Sequence, residues 1–203
     1  MRTYLALYAV SDSNIAVLKR HPPYIHRLLN PDIAESMEHS VAVGTPPGFW
    51  SILFSPRAKQ QEKLRPPVFM PPEGAMLDLD KAWPGIHFLL TGAAGAGQKP
   101  LDFLAGGGTL IGKDDDSLLA IGADETRAIA QALSGLDREE LLRRYQPARM
   151  RELHIAPADR WEEAADAETM EADFVWLFEY AEQLQVFLVA AAANGFGLVK
   201  EFS

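Results

Sequence analysis

A ten-residue segment near the middle of the chain concentrates side chains that could carry chemistry. Asp78, Asp80, Lys81, Trp83 and His87 all lie within it. An imidazole can move a proton near neutral pH, and a lysine can hold an anion, so a shared pocket here would suit a small-molecule enzyme or sensor. In that hypothesis His87 is the acid or base and Lys81 the anion contact. The candidate pocket comprises Asp78, Asp80, Lys81, Trp83, His87 and Thr91.

The same segment has an architectural interpretation. Asp78 or Asp80 would cap a turn, Lys81 would pair with one of them, and Trp83 would cover the core. A lone histidine between apolar neighbours, as His87 is, more often satisfies its hydrogen bonds inside a core than it performs chemistry. Both interpretations stay open at the level of the sequence.

The familiar catalytic and ligand motifs are incomplete. In a Walker loop the lysine follows the last glycine directly, but Gln98 separates Gly97 from Lys99. The acidic run at 114–116 resembles the start of a calcium loop, yet Leu119 stands where that loop needs a glycine. The five histidines form no metal-binding pair at helical spacing, and the chain has no cysteine. We therefore predict no catalytic residue, no cofactor and no metal site from motifs.

Charge is unevenly distributed along the chain. Nineteen basic and 28 acidic residues give a net charge of −9, which disfavours broad binding to nucleic acid or to anionic membranes. A solvated helix face is one interpretation of the acidic segment that leads into the last long helix. The other is a docking surface for a basic protein partner, with the candidate residues Glu162, Glu163, Asp166 and Glu168.

One basic cluster surrounds Tyr145. We interpret its arginines as partners of nearby glutamates rather than as a phosphate site, because acidic residues stand within helical reach of them. The cluster comprises Arg143, Arg144, Arg149 and Arg151.

The elements that must position these groups can be read from periodicity and capping signals. The apolar run 4–10 predicts a first strand, followed by helices ending near Arg20 and Leu29 and a further helix over 32–43. Half of the 14 prolines fall within 27 residues, so 44–76 is predicted to be an extended arm. The apolar side chains of this arm would pack on the body or on a second copy, which makes a homodimer conceivable.

The second half of the chain carries clearer signals. Residues 86–90 read as a buried strand or helix end, and 118–121 as a strand. Asp124 and Asp137 are predicted helix caps, and a long helix is expected over 168–193 with a closing strand after Gly195. No stretch approaches the roughly 18–20 apolar residues of a membrane span, and no signal peptide is evident, so we expect a cytoplasmic protein.

The segment 77–92 resembles a known family. Its pattern D-x-D-K-x-W followed by H-F-x-L-T-G, together with the helical layout before Gly195, is similar to the YfbM-like family, a bacterial domain of unknown function. The resemblance covers most of the chain, with 44–76 as an insertion. It implies a single-domain three-layer α/β sandwich with a long C-terminal helix, and it implies no reaction, cofactor or catalytic residue.

Three functional hypotheses follow. The first is a non-enzymatic binding protein whose acidic surface takes a basic protein partner; an immunity-type protein that neutralises a basic toxin is one concrete form. The second is the small-molecule enzyme or sensor that uses the pocket around Asp78, Lys81 and His87. The third is a structural or oligomeric role through the proline-rich arm. The absence of an intact catalytic motif places the binding protein first.

Overall fold

A computed structural model describes residues 4–29, 66–112, 117–161 and 167–203. Several predictions from the sequence lie outside these ranges. They are the helix over 32–43, the first part of the arm at 44–65, the acidic run 114–116, and Glu162, Glu163 and Asp166.

Five antiparallel strands form one sheet with the order β2-β1-β5-β4-β3. The first and last strands of the described chain lie side by side at its centre, paired from Leu5 opposite Phe202 to Ser11 opposite Phe196. The strands are β1 (Leu5–Ser11), β2 (Met76–Asp78), β3 (Thr109–Leu110), β4 (Leu118–Ile121) and β5 (Phe196–Phe202).

Seven α-helices surround this sheet within the described residues. Short 3-10 turns lie between successive elements at Pro22–Ile25, Asp80–Ala82, Leu101–Leu104 and Ala158–Trp161. The helices are α1 (Asp12–Arg20), α2 (His26–Leu29), α3 (Trp83–Thr91), α4 (Ala123–Leu133), α5 (Arg138–Arg144), α6 (Pro147–Glu152) and α7 (Ala167–Ala193).

Both faces of the sheet are covered, because side chains along each strand alternate between two hydrophobic clusters. Leu7 and Leu198 belong to the larger cluster with α3–α7, whereas Val10 and Val199 pack with α1 and α2 on the opposite face. The result is the predicted three-layer α/β sandwich, with the long C-terminal helix on the thicker side.

Helix α7 is the longest element, with 27 residues spanning about 40 Å. Leu177, Leu184 and Leu188 on one face are fully buried in the larger cluster. An 18-residue window of this helix has a mean hydropathy of 1.2, so by length and composition alone the helix could cross a membrane. The sequence analysis, which considered uninterrupted apolar runs, did not identify this helix as a candidate span. In this fold the inner face of the helix serves as a core face.

Of the two helix caps predicted from the sequence, one is confirmed and one is wrong. Asp137 accepts a hydrogen bond from the Glu140 main-chain N–H, so that predicted cap is confirmed. The Ser11 side chain caps α1 in the same way, accepting from the Asn14 N–H. The cap predicted at Asp124 is wrong: α4 begins one residue earlier, and its first N–H, that of Ala123, donates to the Asp12 carboxylate at 3.0 Å. The segment 86–90 is helical, inside α3.

Candidate functional site

The acidic and basic members of the predicted pocket lie at the exposed start of the segment. Asp78 accepts a hydrogen bond from the Asp80 N–H at 2.8 Å, which is the turn-capping role of the architectural interpretation. Asp80 needs this support because it adopts a left-handed backbone, with φ 44°. Lys81 forms no ion pair with either aspartate; its ammonium nitrogen lies 5.5 Å from the centre of the Tyr4 ring.

Trp83 belongs to the packing between α3 and the sheet. Its ring meets the Phe202 ring edge to face at 5.6 Å between centroids. The indole nitrogen is buried and has no hydrogen-bond partner in the described part of the chain. Trp83 therefore covers the core, as the architectural interpretation predicts.

His87 lies on the buried face of α3, with none of its surface exposed. Its Nε2 bonds to the Gly95 carbonyl oxygen and lies 3.4 Å from the Thr91 hydroxyl. Burial lowers its pKa below the ordinary value, outweighing the Gly95 bond and the negative charge of Asp102, so the ring is neutral at pH 7. Because Nε2 donates its proton to Gly95, Nδ1 is left as a buried acceptor without a partner among the described residues.

The cleft that His87 and Lys81 were expected to share is not formed. Helix α3 begins at Trp83 and turns His87 into the core, whereas Lys81 precedes the helix in an exposed turn. Of the six candidate pocket residues, Thr91 lines an open groove, described below, at the other end of the helix. His87 instead ties the 92–97 loop to α3.

A first surface combines carboxylates with exposed apolar side chains. Leu77 of edge strand β2 and Glu179, Glu182, Val186 and Phe187 of α7 line a shallow cavity of about 680 Å³. Val186 is 71% exposed. We call this cavity together with Asp78 and Asp80 the acidic face.

Tyr180 of α7 lies within electrostatic range of the two aspartates at the end of β2. Burial raises the pKa of the Tyr180 hydroxyl, and the charges of Asp80 and Asp78 raise it further. The aspartates at the end of β2 therefore lie close to α7. In the described part of the chain, no salt bridge involves Asp78, Asp80, Glu179 or Glu182.

Glu168, the described member of the predicted partner surface, belongs to the same side of α7. It is exposed in the first turn of the helix. At about 100° per residue, Glu179 and Val186 recur at nearly the same angular position, 11 and 18 residues further on. Glu168 thus lies on the side of α7 that carries Glu179 and Val186 of the acidic face.

A second surface is a basic groove of about 540 Å³ at the end of α3. Four cations line it, from a loop and two helices: Lys99, Arg143, Arg144 and Arg149. The expected pairing with glutamates is confirmed for three of the four arginines: Arg143 and Arg144 share Glu140 at 2.5 and 2.7 Å, and Arg149 bonds Glu152 at 2.7 Å.

A buried lysine is the feature that the sequence analysis missed. Lys200 in β5 has no exposed surface, and its ammonium group donates to the carbonyl oxygens of Phe103 at 2.6 Å and Gly106 at 2.7 Å. Asp102, also buried, lies in the same turn. The available signal was a lysine inside the apolar strand 196–202, where a charge needs dedicated partners.

Comparison with known proteins agrees with this architecture. Residues 1–199 match the family described as a domain of unknown function, DUF1877. The chain belongs to the DUF1877 family. Its fold is similar to the crystal structure of YfbM from Escherichia coli, a protein of unknown function, with a TM-score of 0.61 and 20% identity over 98% of this chain and 99% of that one. No curated protein matches the chain.

The match confirms the YfbM-like resemblance and extends it across the DUF1877 domain. At 20% identity the YfbM structure shows the shared fold and nothing about activity. Function in this DUF1877 protein must therefore be argued from its own surfaces.

Proposed function

We propose that this protein is a non-enzymatic binding protein whose acidic face takes a basic, amphipathic helix of a protein partner. The observation that carries the proposal is that the carboxylates of Asp78, Asp80, Glu179 and Glu182 form no salt bridge within the described residues and share a face with the exposed Val186. Carboxylates whose charge no described lysine or arginine compensates are available to the cations of another protein.

The shape of the face favours a helix as the occupant. Strand β2 and helix α7 form the two walls of an open cavity, and Leu77, Val186 and Phe187 supply its apolar floor. An amphipathic helix laid along such a cavity places apolar residues against the floor and basic residues against the carboxylates at its rim. Charge complementarity of this kind sets the rate and specificity of association more than the affinity.

The proposal is tested with full-length protein used as bait in lysate of the native cell. The face variant Glu179→Lys/Glu182→Lys reverses two charges on α7. The control Glu125→Lys/Glu139→Lys reverses two exposed carboxylates of α4 and α5, so both variants have the same net charge. Thermal unfolding of each bait checks that it is folded.

We expect one stoichiometric partner with the wild type and the control, lost with the face variant and weakened between 50 and 500 mM salt. A carbodiimide cross-linker, which joins carboxylates to lysines, should link that partner to Glu179 or Glu182. A partner that binds the face variant equally well, or the absence of any stoichiometric partner, contradicts the proposal.

A further inference from the structure

We infer that the basic groove at the end of α3 binds a small phosphate monoester. This site is independent of the acidic face and does not rest on the protein-binding proposal. Its starting point is a contrast in charge: the chain carries a net charge of −9, yet none of the described residues that line the groove is a carboxylate, and four are cations, Lys99, Arg143, Arg144 and Arg149.

The charge balance of the groove is positive after internal pairing. Glu140 is shared by two guanidinium groups, those of Arg143 and Arg144, and Glu152 is bonded to Arg149. Lys99 has no partner in the described part of the chain. Two positive charges therefore remain beyond those compensated by the bonded carboxylates, which matches the roughly −2 charge of a phosphate monoester at neutral pH.

The arginines of the groove differ in how many of their N–H donors remain without a partner among the described residues. Arg144 is committed, since its Nε bonds Glu140 and its Nη1 donates to the Leu90 carbonyl oxygen at 3.2 Å. That bond also neutralises the carbonyl end of α3, which would otherwise repel an anion. Arg143 and Arg149 each have one nitrogen bonded to a carboxylate, and their other nitrogens have no partner among the described residues.

Arg143 and Arg149 therefore have donors to offer from two different helices. The guanidinium plane can bind two oxygens of one phosphate at once, and the Lys99 ammonium group adds a mobile point charge from the loop. The side chains of Arg143 and Arg149 are 72% and 53% exposed, so a ligand can reach both.

The rest of the lining suits the neutral part of such a ligand. Phe88 and Leu90 form a nearly buried apolar floor. Gln98 and Gln146 line the walls, and their amides form no hydrogen bond within the described residues, so they can bind hydroxyl or ring polar groups. A volume of about 540 Å³ is within the range of small-molecule sites.

The test is isothermal titration calorimetry on the full chain. The probes are inorganic phosphate, glucose 6-phosphate and adenosine monophosphate, with glucose and adenosine as the dephosphorylated counterparts. The variants are Lys99→Gln, Arg143→Gln and Arg149→Gln. Arg127→Gln is the matched control, because Arg127 also pairs with a carboxylate on its own helix, Asp124 at 2.7 Å, but lies outside the groove.

We expect a monoester to bind with a dissociation constant below about 1 mM and its dephosphorylated counterpart not to bind. Each groove substitution should weaken binding about tenfold, the equivalent of one charge-assisted hydrogen bond, while Arg127→Gln changes it less than twofold. The Glu179→Lys/Glu182→Lys protein should bind the ester normally, which separates this site from the acidic face.

Three outcomes overturn the inference. The first is that neither monoester binds at 10 mM. The second is that inorganic phosphate binds as tightly as the esters, which reduces the groove to a non-selective anion patch. The third is that Arg127→Gln weakens binding as much as the groove substitutions do.

Discussion

The Lys200 ammonium group donates a hydrogen bond of 2.6 Å to the carbonyl oxygen of Phe103, 97 positions earlier in the chain. A second bond, of 2.7 Å, runs to the carbonyl oxygen of Gly106. These oxygens lie at and just beyond the end of the 3-10 turn Leu101–Leu104. A buried lysine thus holds the turn against the centre of the sheet.

Replacement of Lys200 by methionine should destabilise the protein by about 2–4 kcal/mol. Methionine fills a similar volume but leaves the carbonyl oxygens of Phe103 and Gly106 without this donor, and each such loss costs about 1–3 kcal/mol. Urea unfolding of both proteins measures the difference. Lys19→Met, at an exposed position, serves as the control and should change stability by less than about 0.5 kcal/mol. A Lys200→Met cost below 1 kcal/mol would contradict a structural role for the lysine.

The hydrogen bond by which the Asp12 carboxylate caps α4 leads to a second prediction. Asp12→Ala removes the acceptor of the Ala123 N–H and should cost about 1 kcal/mol, whereas Asp12→Asn keeps an acceptor and should cost only a few tenths. Asp124→Ala should be nearly neutral, because the side chain of Asp124 is 97% exposed and caps no helix. Chemical denaturation ranks the three variants. Equal losses for the Asp12 and Asp124 alanine variants would show that α4 does not depend on Asp12.

The lowered pKa of His87 leads to the prediction that the protein loses stability as the pH falls. Its folded-state pKa lies below the unfolded value of about 6.5, so below that pH the unfolded chain takes up a proton that the folded protein does not. Above pH 6.5 the titration of His87 does not lower the free energy of unfolding. Below that pH the free energy of unfolding falls by up to about 1.4 kcal/mol per pH unit until the folded-state pKa of His87 is reached. His87→Gln keeps a donor for the Gly95 oxygen but does not titrate.

Urea midpoints at pH 7.5, 6.5 and 5.5 provide the measurement. Other groups contribute equally to the wild type and to His87→Gln, so the difference between the two pH dependences isolates the imidazole. The wild type should lose more stability than the variant between pH 6.5 and 5.5. Identical slopes would mean that the His87 ring is protonated as easily in the folded protein as in the unfolded chain.

Local signals predicted many of the elements correctly. Asp137 caps the start of α5, and Gly195 follows the end of α7, because capping geometry is decided by a few neighbouring residues. The family resemblance supplied the layer architecture. The run 86–90 was ambiguous, since a short apolar stretch fits a buried strand and a buried helix equally well.

The candidate pocket was predicted from proximity in sequence, and the fold does not form it. Proximity in sequence placed Lys81 and His87 together, but the start of α3 at Trp83 turns one into solvent and the other into the core. Conversely, the acidic face brings Leu77 of an edge strand and Glu179 of α7 to one cavity, and no spacing rule indicates that these two residues meet.

The sequence by itself determined the start of α5 at the Asp137 cap, the end of α7 before Gly195, and the net negative charge. Only the tertiary structure decided which distant groups meet: Lys200 with the Phe103 and Gly106 carbonyl oxygens, and Asp12 with the Ala123 N–H. It also decided that Lys99 and the arginines of α5 and α6 line one groove. The physical reason is that periodicity and capping are short-range effects, whereas these contacts depend on how the layers pack across the sheet.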